Sequence, residues 1–213
     1  ASVDLPWSMC AMMQKFRMSD GSVAAGGRGE VARGIWCRFS QNAGSVQTRG
    51  MPIPDFVREL RRHVGTTPLW LSGATAVVLD GPGDRILLIR RSDDGQWTPI
   101  TGIIDPGEEP AVTLVREARE EANVDIEVER LTSTWVTRPI VYDNGDEAQY
   151  LDLTFRCRYV GGDPRPVDGE ASDVAWFPLD GMPELRPEMA ARIRYAVTNE
   201  GPAYFAREPL GWD

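Results

Sequence analysis

Three segments of the chain are predicted to be helices, and in two of them hydrophobic residues recur at helical spacing. Phe56, Leu60 and Val64 are four residues apart, which places them on one face of a helix. Near the C-terminus, Met189, Ile193 and Ala196 also share one helical face. Two of the three segments begin with a proline, a residue suited to the first turn of a helix. The predicted helices cover residues 55–64, 110–122 and 187–198.

Five other segments are predicted to be strands separated by turn residues. The first of them, LSGATAVVL, is rich in small and β-branched residues. Asp80–Asp84 is a Gly- and Pro-containing turn, so the strands on either side of it are expected to form a hairpin. Asn144-Gly145 gives a second hairpin signal. The predicted strands are Leu71–Leu79, Arg85–Arg90, Leu131–Tyr142, Glu147–Tyr159 and Val174–Phe177. This order of elements predicts an α+β fold rather than a doubly wound parallel sheet.

The composition favours one globular domain with an extension. The chain has 213 residues, of which 42% are hydrophobic, and a net charge of -9. This negative charge argues against nonspecific binding to a nucleic-acid polymer. No apolar run approaches the ~20 residues of a membrane span. Three cysteines cannot all pair within one chain, and the N-terminus lacks the order of a secretory signal, so we expect free thiols and a cytoplasmic protein.

The first fifty residues differ from the rest of the chain. They include the Gly- and Ala-rich stretch GSVAAGGRGE and show no sustained hydrophobic period. Met51 then looks like the start of an open reading frame. Residues 1–50 are therefore treated as an N-terminal extension of uncertain role, either packed on the domain or of little function. Residues 51–213 are treated as the functional domain.

Three glutamates mark the helix over residues 110–122 as the candidate site. Glu117, Glu120 and Glu121 lie at positions i, i+3 and i+4 and so share one helical face. The three like charges repel one another and destabilise the helix, so we expect a cation to neutralise them. Oxygen ligands favour Mg²⁺, Mn²⁺ or Ca²⁺ over zinc, and His63 is the single histidine of the chain. The alternative is an acidic face that is merely solvated. The loop before the helix, with two glycines and a proline in residues 101–108, favours the functional interpretation.

This stretch resembles the Nudix box. The match consists of six glycine or polar positions at the family's spacing, and one position departs from the family pattern. The matching residues are Gly102, Glu108, Arg116, Glu117, Glu120 and Glu121. Asn123 stands where the family has glycine, and asparagine is the mildest replacement where a left-handed backbone is needed.

The resemblance implies a fold and a metal-dependent chemistry. Nudix proteins share an α/β/α sandwich with a mixed sheet, and most hydrolyse a nucleoside diphosphate linked to another group with Mg²⁺ or Mn²⁺. The roles implied here are metal ligation by Glu117, Glu120, Glu121 and the carbonyl of Thr101, orientation of a catalytic glutamate by Arg116, and steadying of the loop by Glu108. The general base differs among family members, and the candidates are Glu117 and Glu170.

Substrate recognition is less defined by the sequence. Arg90 and Arg91 either contact phosphate or are surface charges. Trp97 and Trp135 either stack on a base or belong to the core. Three residues of the predicted long hairpin, Arg138, Tyr150 and Asp152, could line a pocket.

Several functions remain open on this sequence. The leading hypothesis is a pyrophosphohydrolase of the ADP-ribose or nucleotide-sugar type that acts on a small nucleotide. The alternatives are a hydrolase that sanitises dNTPs or oxidised nucleotides, and a Nudix domain that only binds a nucleotide as a sensor. An isoprenoid diphosphate isomerase is disfavoured, because no cysteine is placed to act as its catalyst. The resemblance also offers a homodimer as a hypothesis, because homodimers are frequent in the family, and the C-terminal tail with Phe205 and Trp212 could form its contact.

Overall fold

A computed structural model of the chain describes residues 53–208 and contains three helices and nine strands in this range. The helices are α1 (Asp55–Val64), α2 (Pro110–Ala122) and α3 (Pro187–Thr198). The first five strands are β1 (Leu69–Leu79), β2 (Arg85–Arg91), β3 (Trp97–Thr98), β4 (Ile100–Ile103) and β5 (Val124–Val136). The remaining strands are β6 (Ile140–Val141), β7 (Glu147–Gly162), β8 (Ala171–Pro178) and β9 (Tyr204–Phe205). All three predicted helices are confirmed.

The strands form one mixed sheet. Its main path runs β3-β2-β1-β7-β5-β9, while β4 pairs with β1, β6 with β7 and β8 with β2. The β1–β7 and β5–β9 pairs are parallel, and the other pairs are antiparallel. Strands β1 and β2 form the predicted hairpin, with Val78 opposite Leu87.

A helix covers each face of this sheet. Alternate residues of β1 point to opposite faces, so Ala74, Ala76 and Val78 pack with Leu114 and Ala118 of α2. The intervening residues Val77 and Leu79 pack with Ile193 and Ala196 of α3. The two apolar layers give an α/β/α sandwich, which confirms the predicted fold class.

Several strand predictions were incomplete. The strand predicted over Leu131–Tyr142 begins at Val124, directly after α2, and ends at Val136. Pro139, which has no backbone N–H, lies in the break that follows, and the chain then re-enters the sheet as β6. The turn after β6 contains Gly145 at a φ of 82° and leads into β7, as the Asn-Gly signal predicted. The short strands β3, β4 and β9 were not predicted.

Helix α1 is attached to the sheet by hydrogen bonds from one arginine and by apolar packing. Arg61 donates through Nη1 to the carbonyls of Gly65 and Thr67, at 3.0 and 2.6 Å, and through Nη2 to the carbonyl of Glu147 at 2.6 Å. Val57 of the same helix is buried against Leu71 and Ala148. These contacts fix α1 beside the first residues of β1.

Other predictions concern the surface and the chain termini. Within residues 53–208, no helix is long and apolar enough to cross a membrane. Cys157 is a buried free thiol. Phe205 lies exposed on β9 at one end of the sheet, and the homodimer stays a prediction. Cys10, Cys37 and Trp212 lie outside the described residues, as does the extension over residues 1–50.

Candidate active site

Arg116 is the centre of a hydrogen-bonded cluster on α2. Its guanidinium donates through Nε and Nη2 to the two carboxylate oxygens of Glu108, each at 3.0 Å. Its Nη1 donates to Glu117 Oε1 at 2.8 Å and to Glu120 Oε2 at 3.0 Å. Glu108 also accepts a hydrogen bond from Thr113 Oγ1 at 2.8 Å. The bidentate geometry fixes the loop before α2 to the helix itself, and the hydrogen bonds from Arg116 lower the pKa of Glu108.

The absence of a side chain at Gly102 makes room for Glu117. Strand β4 pairs with β1 so that Gly102 lies opposite Ala74, on the face covered by α2. A Cβ atom placed on Gly102 would lie 2.2 Å from Glu117 Oε1. Glu117 therefore lies directly against the backbone of β4, one residue from Thr101. Burial raises the pKa of Glu117 to about 7, although Arg116 acts in the opposite direction.

Glu121 is a buried carboxyl group, and one of its oxygens has no hydrogen-bond partner in residues 53–208. It is 3% exposed, and its Oε2 accepts no hydrogen bond from the described part of the chain. Burial raises its pKa well above the usual range, and the negative charges of Glu117, Glu170 and Asp168 raise it further. Arg91 is near enough to lower this pKa slightly. Burying an unpaired carboxylate is unfavourable unless another group binds it.

The segment before β8 brings Glu170 to the same cluster. Ser92 donates through its N–H to the carbonyl of Glu170 at 2.8 Å and through Oγ to the carbonyl of Gly169 at 2.8 Å. The pairing of β2 with β8 is irregular at Arg90/Arg91, just where this segment joins the sheet. Burial, followed by the charges of Asp168 and Glu117, raises the pKa of Glu170 to about 7. Fold contacts thus bring together acids that are 49–53 residues apart in sequence.

Asn123 adopts the backbone geometry expected of the glycine it replaces. Its φ and ψ are 54° and 41°, and among the described residues it is the one non-glycine residue with a positive φ. Its N–H caps α2 by donating to the carbonyls of Ala118 and Arg119. Its side-chain Nδ2 donates to the carbonyl of Asp163 at 2.9 Å. The departure from the family pattern therefore leaves the end of the glutamate-bearing helix intact.

The donor set suits a divalent cation. Glu121 offers a buried oxygen without a partner, and Gly102 leaves space beside Glu117. Carboxylate oxygens are the ligands that Mg²⁺ and Mn²⁺ favour. As they are placed, however, no three His, Cys, Asp or Glu side chains in residues 53–208 are arranged to hold an ion. Arg116 binds Glu117 and Glu120 instead, so an ion would compete with its guanidinium for these oxygens.

The structure separates the other predicted substrate residues. Arg91 points to the α2 side of the sheet, where it influences Glu121 and Glu170, and is ion-paired with Asp93. Arg90, the preceding residue on the strand, points to the opposite face. Its cross-strand neighbour Trp97 packs edge-on against Phe177 on the α3 side, with ring centroids 4.8 Å apart. Neither Arg90 nor Trp97 therefore joins the carboxylate cluster.

The α3 side carries two groups with no established role in the chemistry. Trp135 packs against Tyr195 and Tyr204, whose rings are stacked 4.2 Å apart. Asp152 is buried, accepts a hydrogen bond from Thr75 Oγ1 at 2.7 Å, and lies 3.4 Å from Arg192 Nε. The sequence indicated Asp152, because it is a charged residue in the apolar run YLDLTF. Its ion pair with Arg192 of α3 was not predicted, because the two residues meet only when α3 packs on the sheet.

Comparison with known proteins identifies the family. The NUDIX domain model matches residues 70–199. The chain is 30% identical over 168 residues to the protein named NAD-capped RNA hydrolase NudC of Pseudomonas aeruginosa, a match that covers 77% of this chain and 56% of that protein. It is 33% identical over 140 residues to the MutT-like protein of Streptomyces ambofaciens, covering 64% of this chain and 84% of that protein.

A solved structure supports the same fold. The crystal structure of the MutT protein from Methanosarcina mazei superposes with a TM-score of 0.53 at 19% identity, covering 63% of this chain and 99% of that one. The sandwich with glutamates on one helix and the matching domain model together define the class. The chain belongs to the Nudix family, whose hydrolases use divalent metal ions. It spans only about half the length of the NudC protein it matches.

Proposed function

We propose that this protein is a metal-dependent pyrophosphohydrolase that cleaves a nucleoside diphosphate linked to another group, as in ADP-ribose or a nucleotide sugar. The observation that carries the proposal is the buried Oε2 of Glu121, which has no hydrogen-bond partner in residues 53–208 and is close enough to Glu117 and Glu170 for their negative charges to raise its pKa. A site of this kind is unfavourable without a cation. A nucleoside diphosphate is the substrate that a cation on carboxylates would bind.

The metal-binding residues proposed are Glu117, Glu120 and Glu121, with the carbonyl of Thr101 as a further ligand. Mg²⁺ is the expected ion, and Mn²⁺ is expected to substitute for it. When bound, such an ion neutralises phosphate charge and makes a water molecule more acidic. We expect the protein to act in the cytoplasm, as its odd number of cysteines suggests.

The protein's own groups provide the remaining functions. Glu117 and Glu170 are the candidates to accept the proton of the attacking water, since both lie at the cluster and burial raises the pKa of each to about 7. Arg116 orients Glu117 through the 2.8 Å hydrogen bond from Nη1. Arg91 adds a positive charge at the edge of the cluster, where a phosphate oxygen could bind it.

The test is a hydrolysis panel with Mg²⁺ and with Mn²⁺. The compounds are ADP-ribose, NADH, nucleotide sugars, dinucleoside polyphosphates, dNTPs and 8-oxo-dGTP. NAD-capped RNA is added because the name of the P. aeruginosa relative refers to it, so the expectation of a non-polymeric substrate stays a prediction. Metal-dependent cleavage that Glu121→Gln abolishes is the expected result.

The same panel separates the two candidate bases. Removing a general base should lower kcat by about 10²- to 10⁴-fold. If Glu170 is the base, Glu170→Gln does this while the affinity for Mg²⁺ stays unchanged. If Glu117 is the base, Glu117→Gln has the larger effect and also weakens Mg²⁺ binding. Tight nucleotide binding without cleavage of any compound would contradict the enzymatic function and favour the alternative of a nucleotide-binding sensor.

A further inference from the structure

A cavity of about 680 Å³ opens on the surface at the first residues of β1. It lies between α1, the first residues of β1, and the loop over residues 104–106 that leaves β4. We call it the α1 groove. Its volume is within the range of small-molecule sites, about 300–1,000 Å³. Helix α1 precedes residues 70–199, which match the family, so part of this groove comes from chain outside the family match.

Trp70 is the most distinctive residue of the α1 groove. It is 58% exposed, although it lies on a strand at the centre of the sheet. Leu60 of α1 and Ile104 of the loop provide apolar surface in the same groove. A flat, exposed indole is a suitable surface for stacking an aromatic ring, and stacking on a base is worth about 1–3 kcal/mol.

One wall of the α1 groove lies on the same sheet face as the glutamates, while Leu71, on which Val57 of α1 packs, belongs to the opposite face. Alternation along β1 places Trp70 and Ser72 on the face of Ala74, and Ala74 lies opposite Gly102. The N–H of Ile104 donates to the carbonyl of Ser72 at 3.0 Å, so the loop continues along β1. Gly102 and Asp105 are three residues apart in sequence, so the distance between them is at most about 10 Å. The ribose and α-phosphate of a nucleotide can bridge such a distance.

Charge decides which part of a nucleotide the α1 groove takes. Two carboxylates, Glu59 and Asp105, lie at it, and its described lining contains no arginine or lysine. Glu59 is ion-paired with Arg62 of the same helix, so Asp105 supplies the net negative charge of the groove. A phosphate would be repelled there, whereas an uncharged base would not. Glu59 and Asp105 can accept hydrogen bonds from the amino groups of a base. The imidazole of His63, which lies 3.2 Å from Glu59 Oε1, adds a further polar group.

We propose that the α1 groove binds the base of the nucleotide substrate, with the ring stacked on Trp70 and the diphosphate extending along β4 toward Glu117. This inference rests on the proposed function, since it concerns the substrate of the same site. Because Arg61 holds α1 against three backbone carbonyls, the groove is formed before the base binds.

The experiment measures binding, so that it does not depend on turnover. Calorimetry with Mg²⁺ compares ADP, GDP, CDP and UDP with inorganic pyrophosphate, which has no base. Trp70→Ala should weaken binding of the preferred nucleotide by about 5- to 150-fold, the equivalent of lost stacking, and leave pyrophosphate affinity unchanged. Trp70→Phe should restore most of the affinity. Phe205→Ala, at an exposed aromatic residue on β9, is the matched control and should change neither.

Three outcomes would overturn the inference: no binding of any of the four nucleotides to the native protein, equal nucleotide affinity in Trp70→Ala, or equal losses for nucleotide and pyrophosphate. A change from dimer to monomer in Trp70→Ala, seen by light scattering, would instead assign the groove to a second copy of the chain. If the panel compounds are cleaved equally well by Trp70→Ala, the proposed function holds and the base site is wrong. If nucleotide binding depends on Trp70 but no compound is cleaved, the base site holds and the proposed hydrolase function is wrong.

Discussion

The hydrogen of Gly102 occupies a position that any other residue would fill with a Cβ atom. That atom would lie 2.2–2.4 Å from three atoms of the Glu117 side chain. These are its three nearest neighbours, and none of them is a backbone atom. Since a flexible side chain can move aside, Gly102→Ala is expected to leave the fold intact and displace Glu117. A displacement of about 1 Å at a catalytic group can reduce the rate by 10²-fold.

We therefore predict that Gly102→Ala lowers kcat by about 10²-fold or more while the thermal midpoint changes little. The control is Gly81→Ala, because a Cβ there meets no atom within 4 Å. Steady-state kinetics and thermal unfolding of both variants test the prediction. Full activity in Gly102→Ala would show that the position of Glu117 does not matter for turnover.

Glu121 links stability to metal binding. The folded, metal-free protein holds the proton of this buried carboxyl more tightly than the unfolded chain does, because burial raises its pKa. Ionisation therefore destabilises the fold. The penalty is absent below the ordinary carboxyl pKa of 4.5 and grows as the pH rises above it. At neutral pH the unfolded chain has released this proton and the folded protein still holds it, which is expected to lower stability by about 1–3 kcal/mol.

Glu121→Gln should therefore stabilise the metal-free protein at pH 8 and remove its response to metal. Each 1 kcal/mol corresponds to a rise of about 2–4 °C in the thermal midpoint. Native protein should gain stability when Mg²⁺ is added, and the variant should not. Glu120→Gln, at a side chain that is 52% exposed, should not change the metal-free midpoint. A variant Glu121→Gln that still responds to Mg²⁺ would exclude Glu121 as a ligand.

Among the elements, α1 is held by one arginine in addition to the apolar contacts of Val57. The Arg61 guanidinium is mostly buried and donates to three carbonyls from two parts of the chain. Arg61→Ala leaves these carbonyls without a charged donor, so we predict a loss of about 2 kcal/mol and a midpoint lower by about 4–8 °C. Nucleotide binding should weaken with it, whereas pyrophosphate binding should not.

Arg58→Ala is the control within the same helix. Arg58 is exposed, and its ion pair within residues 53–208 is with Asp55, an interaction worth at most about 1 kcal/mol. Thermal unfolding and the calorimetric comparison of ADP with pyrophosphate distinguish the two variants. Equal effects of the two substitutions would mean that Arg61 does not hold α1 in place.

The elements also show where sequence patterns suffice. All three helices were predictable, because each has a boundary proline or a repeated apolar face. Strands of two to four residues, such as β3 and β4, are too short to show a period, and they form because β1 and β2 provide edges for pairing. The end of β5 at Val136 was missed because the apolar pattern continues to Tyr142 past Pro139.

For the site, local spacing and long-range contacts contribute different residues. Glu117, Glu120 and Glu121 share a helix, so their proximity follows from sequence alone. Glu170 joins them through the contacts of Ser92 and the pairing of β2 with β8, and the burial that raises the pKa of Glu121 depends on the packed sandwich. The face on which Trp97 lies depends on its pairing with Arg90, which no pattern in the sequence indicates.

The molecule as a whole raises the question of which part of the chain suffices for activity. The family match covers residues 70–199. Every glutamate proposed to act, both helical layers and the α1 groove lie within residues 53–208. If the chemistry needs only these parts, a chain that starts at Met51 should cleave the same compounds as the full chain, with kcat and KM within about threefold (about 0.7 kcal/mol in transition-state free energy).

Comparing the two chains in the hydrolysis panel tests this prediction. The matched variants are Glu121→Gln in each chain, which should be inactive in both and so exclude a contaminating hydrolase. Unchanged kinetics would make residues 1–50 dispensable for cleavage and assign the reaction to residues 51–213. A truncated chain that keeps its thermal midpoint but loses turnover would instead show that residues 1–50 take part in the reaction. A rise in KM alone would place their contribution in substrate binding, because kcat reports the bound complex.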